Sequence, residues 1–103
     1  MIDTGAHSFD AIAMNEDDSV ATVIQSLKSG AEILVQGPDA IKNLNLHDDI
    51  PLCHKVSIKV IEEGDEVLKN GQVIGHATRH IPLGRHVHIH NLVGRDPSDC
   101  LNK

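Results

Sequence analysis

The sequence predicts a mostly β domain of short hairpins, and three observations carry that prediction. First, residues 27–33, 61–67 and 81–87 share one design. Leu27 and Ile33 flank Gly30, Ile61 and Val67 flank Gly64, and Ile81 and Val87 flank Gly84, each aliphatic residue three positions from its glycine. This reads as an internal repeat of strand, glycine turn and strand, with glycine supplying the positive φ that such turns need. Second, residues 55–61 alternate as a half-buried strand should, with Val56, Ile58 and Val60 set between Lys55, Ser57, Lys59 and Ile61. Third, Asn70-Gly71 between two aliphatic pairs marks a tight two-residue hairpin turn.

Taken in order, residues 1–10 show no period and are expected to be a flexible N-terminus. Residues 9–14 alternate apolar and small side chains and suggest a first strand, followed by the acidic turn Asn15-Glu16-Asp17-Asp18. Residues 19–28 admit two readings. Val20, Val23, Ile24 and Leu27 have the i, i+3, i+4, i+7 spacing of an amphipathic helix, with Asp18 or Ser19 as cap and Gly30 as stop. The repeat instead makes the same stretch a strand. Gly37-Pro38 and Asp48-Asp49 are turn signals before the alternating strand that starts at Lys55. The single domain is expected over 11–93, with 94–103 a polar tail in which Pro97 opposes further pairing.

The chain has 103 residues and one aromatic side chain, Phe9. A chain of this length can bury roughly two thirds of its unfolded surface. Its core must therefore come from Val, Ile, Leu and Ala. The formal charge of -6 and the missing aromatic platform argue against a nucleic-acid partner. No apolar run approaches membrane-spanning length and no secretory leader is visible, so no membrane association and a cytoplasmic location are expected. Cys53 and Cys100, 47 positions apart without a CxxC spacing, read as free thiols of a reducing compartment.

The sharpest chemical signal is Ile81 to Asn91, where His86, His88 and His90 alternate with Val87 and Ile89. In an extended strand the two aliphatics share the core face and the three imidazoles share the other. Imidazoles gathered this way suit proton transfer or metal ligation. On a straight strand His86 and His90 lie about 13 Å apart, whereas two nitrogens on one zinc-like ion come within roughly 3 to 3.5 Å. Two neighbours, His86 and His88 or His88 and His90, can converge on an ion with a third ligand from elsewhere, for which His54 is the natural candidate. Lys55 next to it would suit a carboxylate-bearing substrate. Cys53 and His54 point to opposite faces of a strand and make a poor nucleophile–base pair. His47, His76 and His80 are unpatterned and read as surface residues.

The stretch Pro51 to Leu92 resembles the altronate and galactarate dehydratase family. Its region runs from a G-H-K motif through a strand and a glycine turn to G-E-H-V-H-x-H-N. That region is the small β-clip module called the SAF domain. The resemblance is looser over Asp17 to Val35. It aligns His54 and Lys55 with the HK pair and Gly64 with the first turn. Lys69, Gly71 and Gly75 fall on the central hairpin, and His86, His88, His90 and Asn91 on the terminal motif. Cys53 stands where the family has Gly, Asn70 where it has Tyr, and Arg85 where it has Glu.

The resemblance implies a lyase that dehydrates sugar acids, with a divalent iron or manganese ion. Some members carry this module as a separate small subunit working with a large catalytic chain, and a relative acts on sulfolactate in the same two-subunit form. On that basis His54, His88 and His90 are expected to be catalytic and Lys55, His86 and Asn91 to bind substrate. His86 and His88 are the expected metal ligands. The expected partners are a large dehydratase subunit and an anionic sugar acid. The chain lacks a carboxylate cluster to complete an octahedral iron or manganese site, so it is expected to contribute part of a site rather than act alone. A non-catalytic sugar-acid-binding module and a histidine-based metal carrier are the readings of other classes.

Overall fold

The structure, a computed structural model, describes residues 9–94. Among them every regular element is a strand: β1 (Ala11–Ile12), β2 (Val20–Val23), β3 (Glu32–Gln36), β4 (Ile41–Asn45), β5 (Lys55–Ser57), β6 (Glu66–Lys69), β7 (Gln72–Ala77), β8 (His86–Val87) and β9 (Leu92–Gly94). They form a six-stranded sheet in the order β4-β3-β1-β2-β5-β8 and a three-stranded sheet in the order β6-β7-β9. Pairing is antiparallel except between β1 and β3. The mostly β expectation holds.

The three glycine turns are the same object built three times. Gly30, Gly64 and Gly84 have φ of 90, 89 and 81°. This is the third position of a turn that requires a left-handed residue. In the first two copies the turn closes on itself, from the Ala31 N–H to the Lys28 carbonyl and from the Asp65 N–H to the Glu62 carbonyl. In the third copy the hydroxyl of buried Ser57 stands in the turn. It donates to the Pro82 carbonyl at 2.6 Å and accepts from the Arg85 N–H at 2.9 Å. Ile61 and Ile81, each three residues before its glycine, exchange backbone hydrogen bonds of 2.9 and 2.7 Å. Copies two and three are thereby joined.

The aliphatic residues of the repeat sort into two cores. Ile33 packs with Ala11, Ala21, Val23, Leu46, Ile50 and Val56. Ile61, Val67, Ile81 and Val87 pack with Val20, Ile74 and Ala77. Every buried hydrophobic side chain is Ala, Val, Ile or Leu, as the lack of aromatics requires. Asn70-Gly71 forms the expected hairpin turn, with φ of 53 and 80° at the two central residues. Buried Asp18 anchors it, since one carboxylate oxygen accepts from the Gly71 N–H at 2.8 Å.

Several expectations need correction. Residues 19–28 form no helix. Val20 and Ala21 are both buried because β2 lies inside the sheet between β1 and β5, so its apolar run reflects burial on two faces. Ile24, which the helical spacing would bury, is 49% exposed. The strand from Lys55 ends at Ser57, all three of its residues are buried, and Val60 is exposed, so it is not a half-buried alternating strand. Cys53 is disulfide-bonded, which overturns the free-thiol reading there. Separation along the chain, on which that reading rested, does not limit which thiols meet in space. Cys100 and His7 lie outside the described residues, as do residues 1–8 of the expected flexible start and 95–103 of the expected polar tail. Asp10, the last residue of the expected flexible start, is bonded through its backbone to the Leu34 carbonyl and through its carboxylate to the Leu34 N–H.

A paired substitution tests the turn repeat. An added Cβ at Gly30 meets nothing within 4 Å, whereas at Gly84 it would lie 2.2 Å from the Asn45 carbonyl oxygen. In urea unfolding Gly30→Ala should cost about 1–2 kcal/mol from left-handed strain alone. Gly84→Ala should cost ~3 kcal/mol or more, because overpacking adds to it. Equal costs would contradict the close approach.

Candidate histidine site

The site is set by the pairing of β5 with β8, in which Lys55 lies opposite Val87 and Val56 opposite His86. Continuing that register by one residue puts His54 opposite His88, with both side chains on one face. The rings confirm it, with centroids 4.1 Å apart and planes 20° from parallel. His86, two residues before His88, shares the face. Its Nε2 is 2.8 Å from the His54 Nδ1, so one nitrogen of that pair donates and the other accepts. The ligand nitrogens of His54, His86 and His88 all lie within 4.8 Å of one another.

Beyond Val87 the chain leaves the strand. The Asn91 N–H donates to the His88 carbonyl at 3.1 Å and closes a turn over 88–91. Asn91, 4% exposed, holds this turn with both ends of its side chain. Its Oδ1 accepts from the His88 N–H and its Nδ2 donates to the His86 carbonyl, each at 2.9 Å. The expected shared burial of Val87 and Ile89 is therefore corrected: Val87 is buried, but Ile89 at the turn is 85% exposed. The bend also brings His90 back, its ring centroid 5.2 Å from that of His86. The 13 Å separation of a straight strand does not apply.

Asp48 organises the cluster from the β4–β5 connection. One oxygen, Oδ2, accepts from the His86 N–H at 3.0 Å and from the Arg85 Nε at 2.9 Å. Burial alone would raise its pKa, but these donors and the nearby positive charge hold it below the ordinary carboxylate value. His86 is pushed the other way from a typical imidazole, down to about 4. Burial is the main cause, followed by the fields of His54, His90 and His88, which outweigh the attraction of Asp48. At neutral pH His86 is an uncharged lone-pair donor.

The structure thus gathers four of the residues singled out in the sequence: His54, His86, His88 and His90. Lys55 is elsewhere. It is 2% exposed, engaged within the structure, and one residue along β5 from His54, hence on the opposite face. Asn91 bonds the backbone of the histidine turn. His47, His76 and His80 are exposed, and His80 pairs with Glu62 at 2.9 Å. Asp48 and Ser57 were not recognised in the sequence as site residues. Their contacts span 25 to 38 positions, and no local pattern marks them. A cleft of about 510 Å³, bordered by Lys42, Lys59 and Leu83 among others, contains none of the histidines.

An all-β module of glycine turns that carries an imidazole cluster on one strand pair defines a class of small site-bearing domain. The chain belongs to the altronate/galactarate dehydratase SAF domain family, whose pattern matches residues 9–95. It is 31% identical over 80 residues to altronate dehydratase of Bacillus subtilis, and 35% identical over 74 residues to altronate dehydratase of Escherichia coli. Those alignments cover 78% and 72% of this chain but only 15% and 14% of the two enzymes. It is also 31% identical over 88 residues to the alpha subunit of (2R)-sulfolactate sulfo-lyase of Chromohalobacter salexigens, covering 82% of this chain and 94% of that subunit. No helix among the described residues is long and apolar enough to cross a membrane.

Two measurements test the site. Unfolded, His86 takes up a proton near pH 6.5, and folded only near 4. Between these values the unfolded chain binds the extra proton, so stability falls as pH drops from 6.5 toward 4. The Asp48 contribution is lost separately, as pH falls below its ordinary value of 3.8. Urea midpoints should decline across the upper window, and His86→Gln should flatten the slope; an unchanged slope would contradict the buried neutral imidazole. Asn91→Ala should cost about 1–3 kcal/mol, because it strands buried backbone groups of the turn. A cost near zero would count against its role in holding the turn.

Proposed function

We propose that this chain is the small subunit of a carbon–oxygen lyase that dehydrates a sugar acid such as altronate or galactarate, its histidines completing a site shared with a separate large subunit. The observation that carries this reading is the convergence of His54, His86 and His88 in a module of this family. A neutral imidazole hydrogen-bonded to a second one can accept a proton and spread the charge. In this reading His54 and His88 act as base toward the carbon next to the substrate carboxylate. His90, whose ring lies against that of His86 on the bent turn, donates a proton to the departing hydroxyl. Lys55 and Asn91 serve as positioning residues, Asn91 by fixing the turn and Lys55 from within the opposite face of β5.

The residues also suit a metal. Three nitrogens this close, with His86 uncharged, are a donor set for a divalent ion such as iron or manganese. With an ion bound, His86 and His88 would hold it with His54 as third ligand, and because an imidazole that gives its lone pair to an ion cannot accept a proton, the base would then come from the large subunit. A bound ion would stabilise the negative charge that develops on the substrate carboxylate. The nearby carboxylate of Asp48 is bonded to the His86 N–H and to Arg85, so the oxygen ligands that such an ion prefers would come from the large subunit. We place the SAF domain at 11–93 and the complex in the cytoplasm.

A second reading has its own support. The chain spans nearly all of a sulfolactate sulfo-lyase alpha subunit, which favours a small subunit of that enzyme type, with sulfite as leaving group. The same face would serve either elimination.

The test is to recover the chain from its native extract and assay the bound fraction on altronate, galactarate and sulfolactate with added ferrous or manganous ion. A co-purifying large chain with lyase activity, reduced at least about 100-fold by His88→Ala as for loss of an acid–base group, is expected. A chain that comes down alone and inert, yet binds a sugar acid, would replace the lyase reading with a binding module.

A further inference from the structure

Next to the histidine cluster lies a second cleft, of about 230 Å³, bordered by Asp48, Arg79, His80, Arg85, His90 and Asn91. Two of the three arginines in a chain of net charge -6 meet there. Arg79 is exposed and makes no hydrogen bond or ion pair with any described residue. Arg85 gives its Nε to Asp48, which fixes the guanidinium and leaves the paired Nη groups without a described partner. Asp48 is the one acidic residue on the border, and its Oδ2 is occupied by the Arg85 Nε and the His86 N–H. A planar guanidinium held through Nε offers two parallel N–H donors, the geometry that carboxylate and sulfonate oxygens accept.

The cleft is continuous with the histidine site, because His90 both borders it and lies against the His86 ring.

We propose that Arg79 and Arg85 form an oxyanion subsite that binds the second acidic group of a doubly charged substrate, whose first acid and reacting carbons lie at His54, His86 and His88. This rests on the lyase reading above and narrows it. The substrate carries an acidic group at both ends, a carboxylate or a sulfonate, and a singly charged aldonate leaves the subsite unfilled.

The test compares galactarate, with two carboxylates, sulfolactate, with a carboxylate and a sulfonate, and altronate, with one carboxylate, on the complex of the chain with its large partner. The ratio of kcat/KM for the better dianion to that for altronate should fall about tenfold in Arg79→Gln and in Arg85→Gln, mostly through KM, corresponding to ~1.4 kcal/mol of lost binding. A merely structural defect would lower all three substrates together and leave the ratio unchanged, which would overturn the proposal. Which dianion loses more distinguishes the carboxylate from the sulfonate source. If no substrate turns over, the lyase reading fails on its own. The full-length isotope-labelled chain then decides the subsite: galactarate or sulfolactate should shift the side-chain Nε signals of Arg79 and Arg85 at concentrations where altronate does not. Equal shifts with all three, or none, would overturn it.

Discussion

The candidate site depends on one constraint, the register in which β5 meets β8. With Lys55 opposite Val87, His54 must stand across from His88, and the two-residue period of the pleat brings His86 to the same side. A slip of one residue would turn His54 to the face of Val87 and the second core. That register is held from both sides of the sheet. Val87 is locked among Ile61, Ile81 and Val20, while Val56 is locked among Ala21, Ile33 and Ile50. Ser57 secures the end of the pair by accepting the Arg85 N–H and donating to Pro82.

Around that register the fold keeps His86 uncharged. Partial burial, followed by the fields of His54, His90 and His88, raises the cost of ionising it. The chain sets one half-buried carboxylate, Asp48, against the backbone N–H of His86 rather than its ring. The same carboxylate steadies Arg85 at the neighbouring cleft. In the site proposed above, proton transfer and substrate binding would be divided between two adjoining surfaces of one short turn.

Much of this was legible in the sequence because glycine and histidine leave strong local marks. The three glycine turns were visible from spacing alone, and all three have the positive φ that the spacing implied. The histidines that meet were those that alternated, with His54 as the outside partner. What the sequence did not show came from long-range packing. Residues 19–28 carried a helical spacing that central placement in a sheet overrode. The bend after Val87 depends on Asn91 reaching back to His86 and His88, so a straight strand misplaced Ile89 and His90. Asp48 and Ser57 act across distances in the chain that no local pattern encodes.

The proposed site requires that the neighbouring imidazoles act on His86. The measurement that addresses this most directly is a heteronuclear NMR titration of the histidine ring signals in the full chain, with and without His54→Gln. Coupling predicts that the His86 signals move near pH 4 in the native chain and at higher pH once His54 is gone, because the field of a neighbouring imidazole is removed. A His86 midpoint near 6.5 in both proteins would mean that the rings titrate as independent surface groups, and the shared site would have to be abandoned.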